Sequence, residues 1–128
     1  MKILVLNISG QNPEVDRFLS ELRTRIPEVE IQTHESQPGE IHVLWNIQEY
    51  LDQGIKFFLL PYTKEGVSNA WIEVIGCQRQ GRPVKLLPVM FEGGKAPAGL
   101  AAAKYVRMDG GTTDVEREWN LFARGLRK

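Results

Sequence analysis

Two short apolar runs, IKFFLL from residue 55 and VKLLPVM from residue 84, enclose a segment with helical spacing. Short apolar runs bounded by Gly and Pro suit strands that are covered on both faces. Between them Trp71, Val74, Ile75 and Gln78 fall on one helical stripe. Two buried strands joined through a helix form a right-handed βαβ unit, so the strands are parallel. In an open parallel sheet, ligands collect outside the carboxyl ends of the strands. The segment 61–69, read as the loop after the first of these strands, is therefore the first place to look for function. The next turn of chain, with Trp71 and Glu73, is the second.

The remaining segments repeat the alternation. Residues 2–8 are rich in Ile, Leu and Val and read as a first strand. Asn12 is an N-cap and Pro13 a first helical residue, and Val15, Phe18, Leu19, Leu22 and Ile26 continue at helical spacing to about residue 25. Pro27 ends that helix, and Val29 and Ile31 alternate with polar neighbours as in a short edge strand. Residues 34–39 read as a loop. Ile41, Leu44, Ile47 and Leu51 mark a helix over about 40–53, closed by Gly54. Past the βαβ unit, residues 93–97 read as a loop, 98–103 as one or two helical turns, and 104–107 as a last edge strand. Thr113 to Glu116 is a capping box. Val115, Trp119, Phe122 and Leu126 form the stripe of a final helix. Five strands alternating with helices predict a single α/β domain, a doubly wound parallel sheet of flavodoxin-like order 2-1-3-4-5.

A chain of 128 residues suits one core. Sixteen acidic residues balance sixteen basic ones, which argues against a nucleic-acid binder. A lone cysteine excludes an internal disulfide and suits a reducing compartment. No apolar run is long enough for a membrane span, and the opening MKILVLNIS is too short in its apolar part for a signal peptide. A cytoplasmic protein is the expectation.

Several residues together resemble a TIR (Toll/interleukin receptor) domain, over nearly the whole chain. The first box of that family looks like Ile8-Ser9-Gly10 followed by Asp16-Arg17-Phe18. The second, a Pro-Gly-Glu loop before a helix, looks like Pro38-Gly39-Glu40. The region after the third strand, Ser then Trp, looks like Ser68 and Trp71, and the fourth strand ends like Leu87-Pro88-Val89. Gly10 stands where the family usually carries an aromatic. NAD-cleaving members carry a catalytic glutamate four residues after the Trp, whereas here Ile75 stands at that place and Glu73 only two residues on. Two registers follow. Counting from Trp71 gives Ile75 and no catalytic acid. Aligning the helix by its own pattern gives Glu73, since Val74 follows it and Cys77 lies four residues on.

The resemblance implies cleavage of NAD, as substrate rather than resident cofactor, with Glu73 as catalytic carboxylate and with activation by homotypic self-association. Such domains serve signalling or innate immunity. Breaking the nicotinamide–ribose bond passes through an oxocarbenium-like sugar, which one adjacent carboxylate stabilises, and the nicotinamide leaves neutral. Backbone amides of the turn from Ser9 and Gly10 to Asn12, beside a helix N-terminus, suit a phosphate. Trp71 would stack on a cofactor ring, and Pro38-Gly39 would form a ligand lid or assembly loop.

Each residue also has a plainer explanation. Glu73 fits a solvated helix carboxylate, Trp71 a core residue, and Ser9-Gly10 and Pro38-Gly39 ordinary turns. Trp45 flanks the stripe of the second helix. Cys77 reads as a half-buried small residue, because Glu73 nearby opposes a thiolate. His34 and His42 lack the partners of a metal site. Gly93-Gly94-Lys95 lacks the full phosphate-loop spacing. A non-catalytic TIR-like homotypic interaction module is thus the alternative to NAD cleavage. A further alternative is another flavodoxin-like domain that processes nucleotides or nucleosides. A receiver domain is unsupported, because Asn7, Ser9 and Pro61 stand where its acidic residues belong.

Overall fold

In the computed structural model, described over residues 1–8, 12–36, 43–101, 103–108 and 114–127, strands and helices alternate along the chain. The elements are β1 (Lys2–Ile8), α1 (Pro13–Arg25), β2 (Glu30–Ser36), α2 (Val43–Asp52), β3 (Phe57–Tyr62), α3 (Trp71–Arg79), β4 (Lys85–Met90), a 3-10 turn (Ala98–Leu100), β5 (Val106–Arg107) and α4 (Val115–Arg127). The five strands form one sheet in the order β2-β1-β3-β4-β5, and every adjacent pair is parallel. This is the expected doubly wound, flavodoxin-like α/β arrangement.

Strand alternation sorts the core into two layers. Ile3, Val5, Leu59, Leu87 and Val89 join Val15, Phe18, Leu22, Trp119 and Phe122 under α1 and α4. Leu4, Leu6, Phe58, Leu60, Tyr62 and Met90 join Ile47, Ala70, Val74 and Cys77 under α2 and α3. The central strands therefore carry apolar side chains on both faces, as the unbroken runs require.

The corners that lead from helix to strand are alike at α2–β3 and α3–β4. Ile55 N–H donates to Tyr50 O and Gly54 N–H to Leu51 O, while Arg82 N–H donates to Cys77 O and Gly81 N–H to Gln78 O. Gly54 and Gly81 both sit at φ +86°, the left-handed region that this C-terminal closure needs. At the other end of α1, Asn12 accepts from the N–H groups of Glu14 and Val15, so its reading as an N-cap holds, with Pro13 behind it.

Several boundaries differ from expectation. β2 runs on through His34, Glu35 and Ser36, which pair with Leu6, Asn7 and Ile8, where a loop was expected. Backbone pairing with β1 thus carries the strand past the end of its apolar alternation. β3 includes Pro61 and Tyr62, so the loop behind it begins later, at residue 63. β5 shrinks to two residues. Val115 is 47% exposed and off the buried stripe of α4, which consists of Trp119, Phe122 and Leu126. The cap of α4 is Asp114, whose Oδ1 accepts from Arg117 N–H at 3.0 Å, one residue later than the expected box. Thr113, the first residue of that box, lies outside the described residues.

Two prolines sit inside strands and mark where pairing stops. Tyr62 O accepts from Phe91 N–H, so alternation turns the nitrogen of Pro61 toward β1. The β1–β3 ladder ends one step earlier, at Val5 and Leu59. Beyond it β1 stays paired with β2 to Ile8. Pro88 likewise turns its nitrogen toward the β5 side, where pairing begins only at Val89.

Candidate functional site

The reversal of strand order between β1 and β3 places the carboxyl rim of those strands at the topological switch point. The described segments that meet there are the start of α1, the turn after β3 and the residues just past β4. Asn12 Nδ2 donates to Glu65 Oε2 at 3.0 Å and ties the start of α1 to the turn after β3. That turn is closed by Thr63 and Gly66, whose backbones bond each other in both directions and whose Oγ1–O contact is 2.9 Å. Glu92 N–H, just past β4, donates to Glu14 Oε2 at 3.3 Å. The carboxylates of Glu14 and Glu65 are thus brought to the rim. Among the described residues no group of His, Cys, Asp or Glu is arranged to hold a metal ion.

Ser68 is buried and its Oγ accepts from Ala70 N–H at 3.2 Å, fixing the approach to α3. Trp71 opens α3 as a half-buried residue packed against the α2–α3 layer. Its indole lies directly over Gly99, where a Cβ would come within 2.6 Å of the ring. The ring is thereby seated on the 3-10 turn that follows β4. Glu73 lies in the first turn of α3, half-buried, and its carboxylate meets no hydrogen-bond donor or cation among the described residues.

α3 is a continuous helix from Trp71 to Arg79. Residues two apart in a helix are roughly 200° apart around the axis, so Trp71 and Glu73 flank the buried stripe of Ala70, Val74 and Cys77 on opposite sides. The position one turn on from Trp71, on the same face, is Ile75. Gln78, expected on the apolar stripe, is exposed and its amide reaches Val84 O at 3.4 Å. Cys77 takes its place, 2% exposed and without a disulfide, rather than half-buried.

The other candidates, Ser9, Gly10, Pro38 and Gly39, lie outside the described residues, as does His42. Trp45 lies on α2, with its side chain likewise outside the description. Two rim residues were missed by sequence reasoning. Glu65 carried no motif, since its role comes from the meeting of two loops far apart in sequence. Tyr62 was placed in the loop, yet it is fully buried at the end of β3. Its hydroxyl has no hydrogen-bond partner among the described residues, and burial raises it to about 12.

Among the described residues no helix is long and apolar enough to cross a membrane. Compared with protein-family models, with curated proteins and with solved structures, the chain matches none. The strand order defines the class, a flavodoxin-like α/β domain, and the resemblance to the TIR family rests on the sequence boxes alone.

Proposed function

We propose that this chain is a non-catalytic TIR-like interaction module that associates with copies of itself. The observation that carries this reading is the register of α3. Ile75, not a carboxylate, shares the face of Trp71, and the Trp71 ring is packed on Gly99 instead of offered to a ligand. The carboxylates of Glu14 and Glu65 on the adjoining rim also weigh against the pyrophosphate of a dinucleotide, with Lys64 beside them in part offsetting that charge. The test is nicotinamide release from NAD by concentrated protein, alongside sedimentation over a range of concentrations. The expected result is concentration-dependent association with no nicotinamide above background. A chain that stays monomeric throughout sinks the module reading.

A second reading, hydrolysis of NAD at the nicotinamide–ribose bond, is favoured by one feature. Glu73 is half-buried at the correct end of the sheet and has no partner among the described residues. Its carboxylate would stabilise the developing oxocarbenium while neutral nicotinamide departs. Nicotinamide release that disappears in Glu73→Ala, with association intact, would replace the first reading by this one.

A further inference from the structure

The outer edge of β4 is half uncovered. β5 pairs with Val89 and Met90, and residues 85–88 have no strand neighbour on that side among the described residues. Met90 O accepts from Met108 N–H on the β5 side, and alternation therefore aims the N–H and C=O of Leu86 the same way. They open into a groove of about 780 Å³ between the β4 edge and α4. The apolar part of its lining includes Leu87 and Phe122, both buried, with Leu121 and Tyr105 exposed at 41% and 38%.

The charge lining this groove is mainly positive. Lys85, Lys104, Arg107, Arg117 and Arg124 line it with Glu118, while Asp114 and Glu116 lie beyond Arg117 and Arg124 in the adjoining hollow. Lys85 Nζ is engaged with Gly125 O at 3.0 Å. Lys104, Arg117 and Arg124 meet no carboxylate among the described residues. Free backbone groups on a strand edge, apolar ground for alternate side chains and a cationic border are the three requirements of strand addition by an acidic peptide.

We propose that this groove binds an extended acidic segment of a partner protein as an added strand beside Leu86. Pro88 supplies no donor, so the added strand is short and draws much of its affinity from the arginines and lysines. A nucleic acid would use the cations but not the Leu86 backbone pair. The inference is independent of whether Glu73 is catalytic, since the groove lies at the opposite edge of the sheet from β2, beyond β4.

The test is fluorescence anisotropy of the intact chain with a labelled short peptide alternating Glu and Val. Controls are the same peptide with Lys for Glu, the same peptide N-methylated at alternate residues, and labelled oligo-dT. Binding of the Glu peptide is expected, weakened about tenfold in Arg117→Glu/Arg124→Glu, several-fold by added salt, and about fivefold or more by N-methylation. N-methylation changes only the peptide, so that arm stands even if the double variant fails to fold. Absence of binding, equal binding of the Lys peptide, indifference to N-methylation, or tighter binding of oligo-dT each overturns the proposal. So does loss of peptide binding as the chain self-associates through this groove.

Discussion

The two faces of the sheet are built from different materials. Beneath α1 and α4 the core is aromatic. Phe18 stacks on Trp119 with centroids 4.7 Å apart and planes 10° from parallel, and meets Phe91 and Phe122 edge-on at 5.7 and 5.4 Å. Arg25 continues the stack, its Cζ 4.9 Å above the Trp119 ring, while its guanidinium holds Glu116 and Glu21. Beneath α2 and α3 the fully buried helix residues described, Ile47, Val74 and Cys77, are small or aliphatic, and the rings of Tyr50 and Trp71 join them only partly buried. Aromatic rings interlock in few arrangements, whereas short side chains permit many. The stacked rings predict that the α1–α4 face is the more tightly constrained, and the candidate residues Trp71 and Glu73 belong to the other.

Truncation on each face measures that contrast most directly. Trp119→Ala removes the ring shared by Phe18, Phe122 and Arg25 and is expected to cost about 3–5 kcal/mol in urea unfolding. Val74→Ala, on the α3 side, should cost about 2 kcal/mol or less. Equal losses would show that the two faces are equally constrained, and the contrast would fail.

A smaller effect belongs to the rim where both layers meet. Asn12→Ala removes the cap of two α1 amides together with the Glu65 contact, and a loss of about 1–2 kcal/mol is expected. Glu65→Ala alone should cost no more than about 0.5 kcal/mol, because Glu65 is exposed. In a double-mutant cycle, measurable coupling between the two would show that the clip helps to hold the loops together. Purely additive losses would reduce Asn12 to a cap.

What the chain disclosed before folding follows the same division. The apolar runs of β1, β3 and β4 identified themselves, because a strand buried on both faces admits little else. The stripe of α1 was equally plain, with Asn12 and Pro13 announcing its start. β2 was cut short, since polar residues on a solvated edge look like a loop until their neighbour is known. Pro61 and Pro88 were legible as prolines but not as the points where a ladder gives out. At the candidate site, Trp71 and Glu73 were expected just after β3, and they open α3 at the carboxyl end of the strands. Their opposed directions were implicit in a two-residue spacing, but only a helix that starts at Trp71 itself makes that spacing decisive. Glu65 was invisible, because its partner Asn12 lies 53 residues away.

The last effect concerns a buried hydroxyl in the α2–α3 layer. Tyr62 is fully buried, touches Tyr105 edge-on at 6.0 Å, and leaves its hydroxyl without a partner among the described residues. Removing an unsatisfied buried group without opening a cavity relieves its desolvation, so Tyr62→Phe should leave stability at neutral pH unchanged or raise it by up to about 1 kcal/mol. Alkaline unfolding adds a signed check. Burial moves the hydroxyl from its ordinary 10.0 to about 12 in the folded chain. Between those values the unfolded chain has released the proton and the folded chain still holds it, so stability falls as pH rises. Wild type minus Tyr62→Phe should be flat below pH 10 and decline between about pH 10 and 12. A difference that stays flat to pH 12 would mean that the hydroxyl reaches water or a partner, and that the α2–α3 face is as well satisfied as the α1–α4 one.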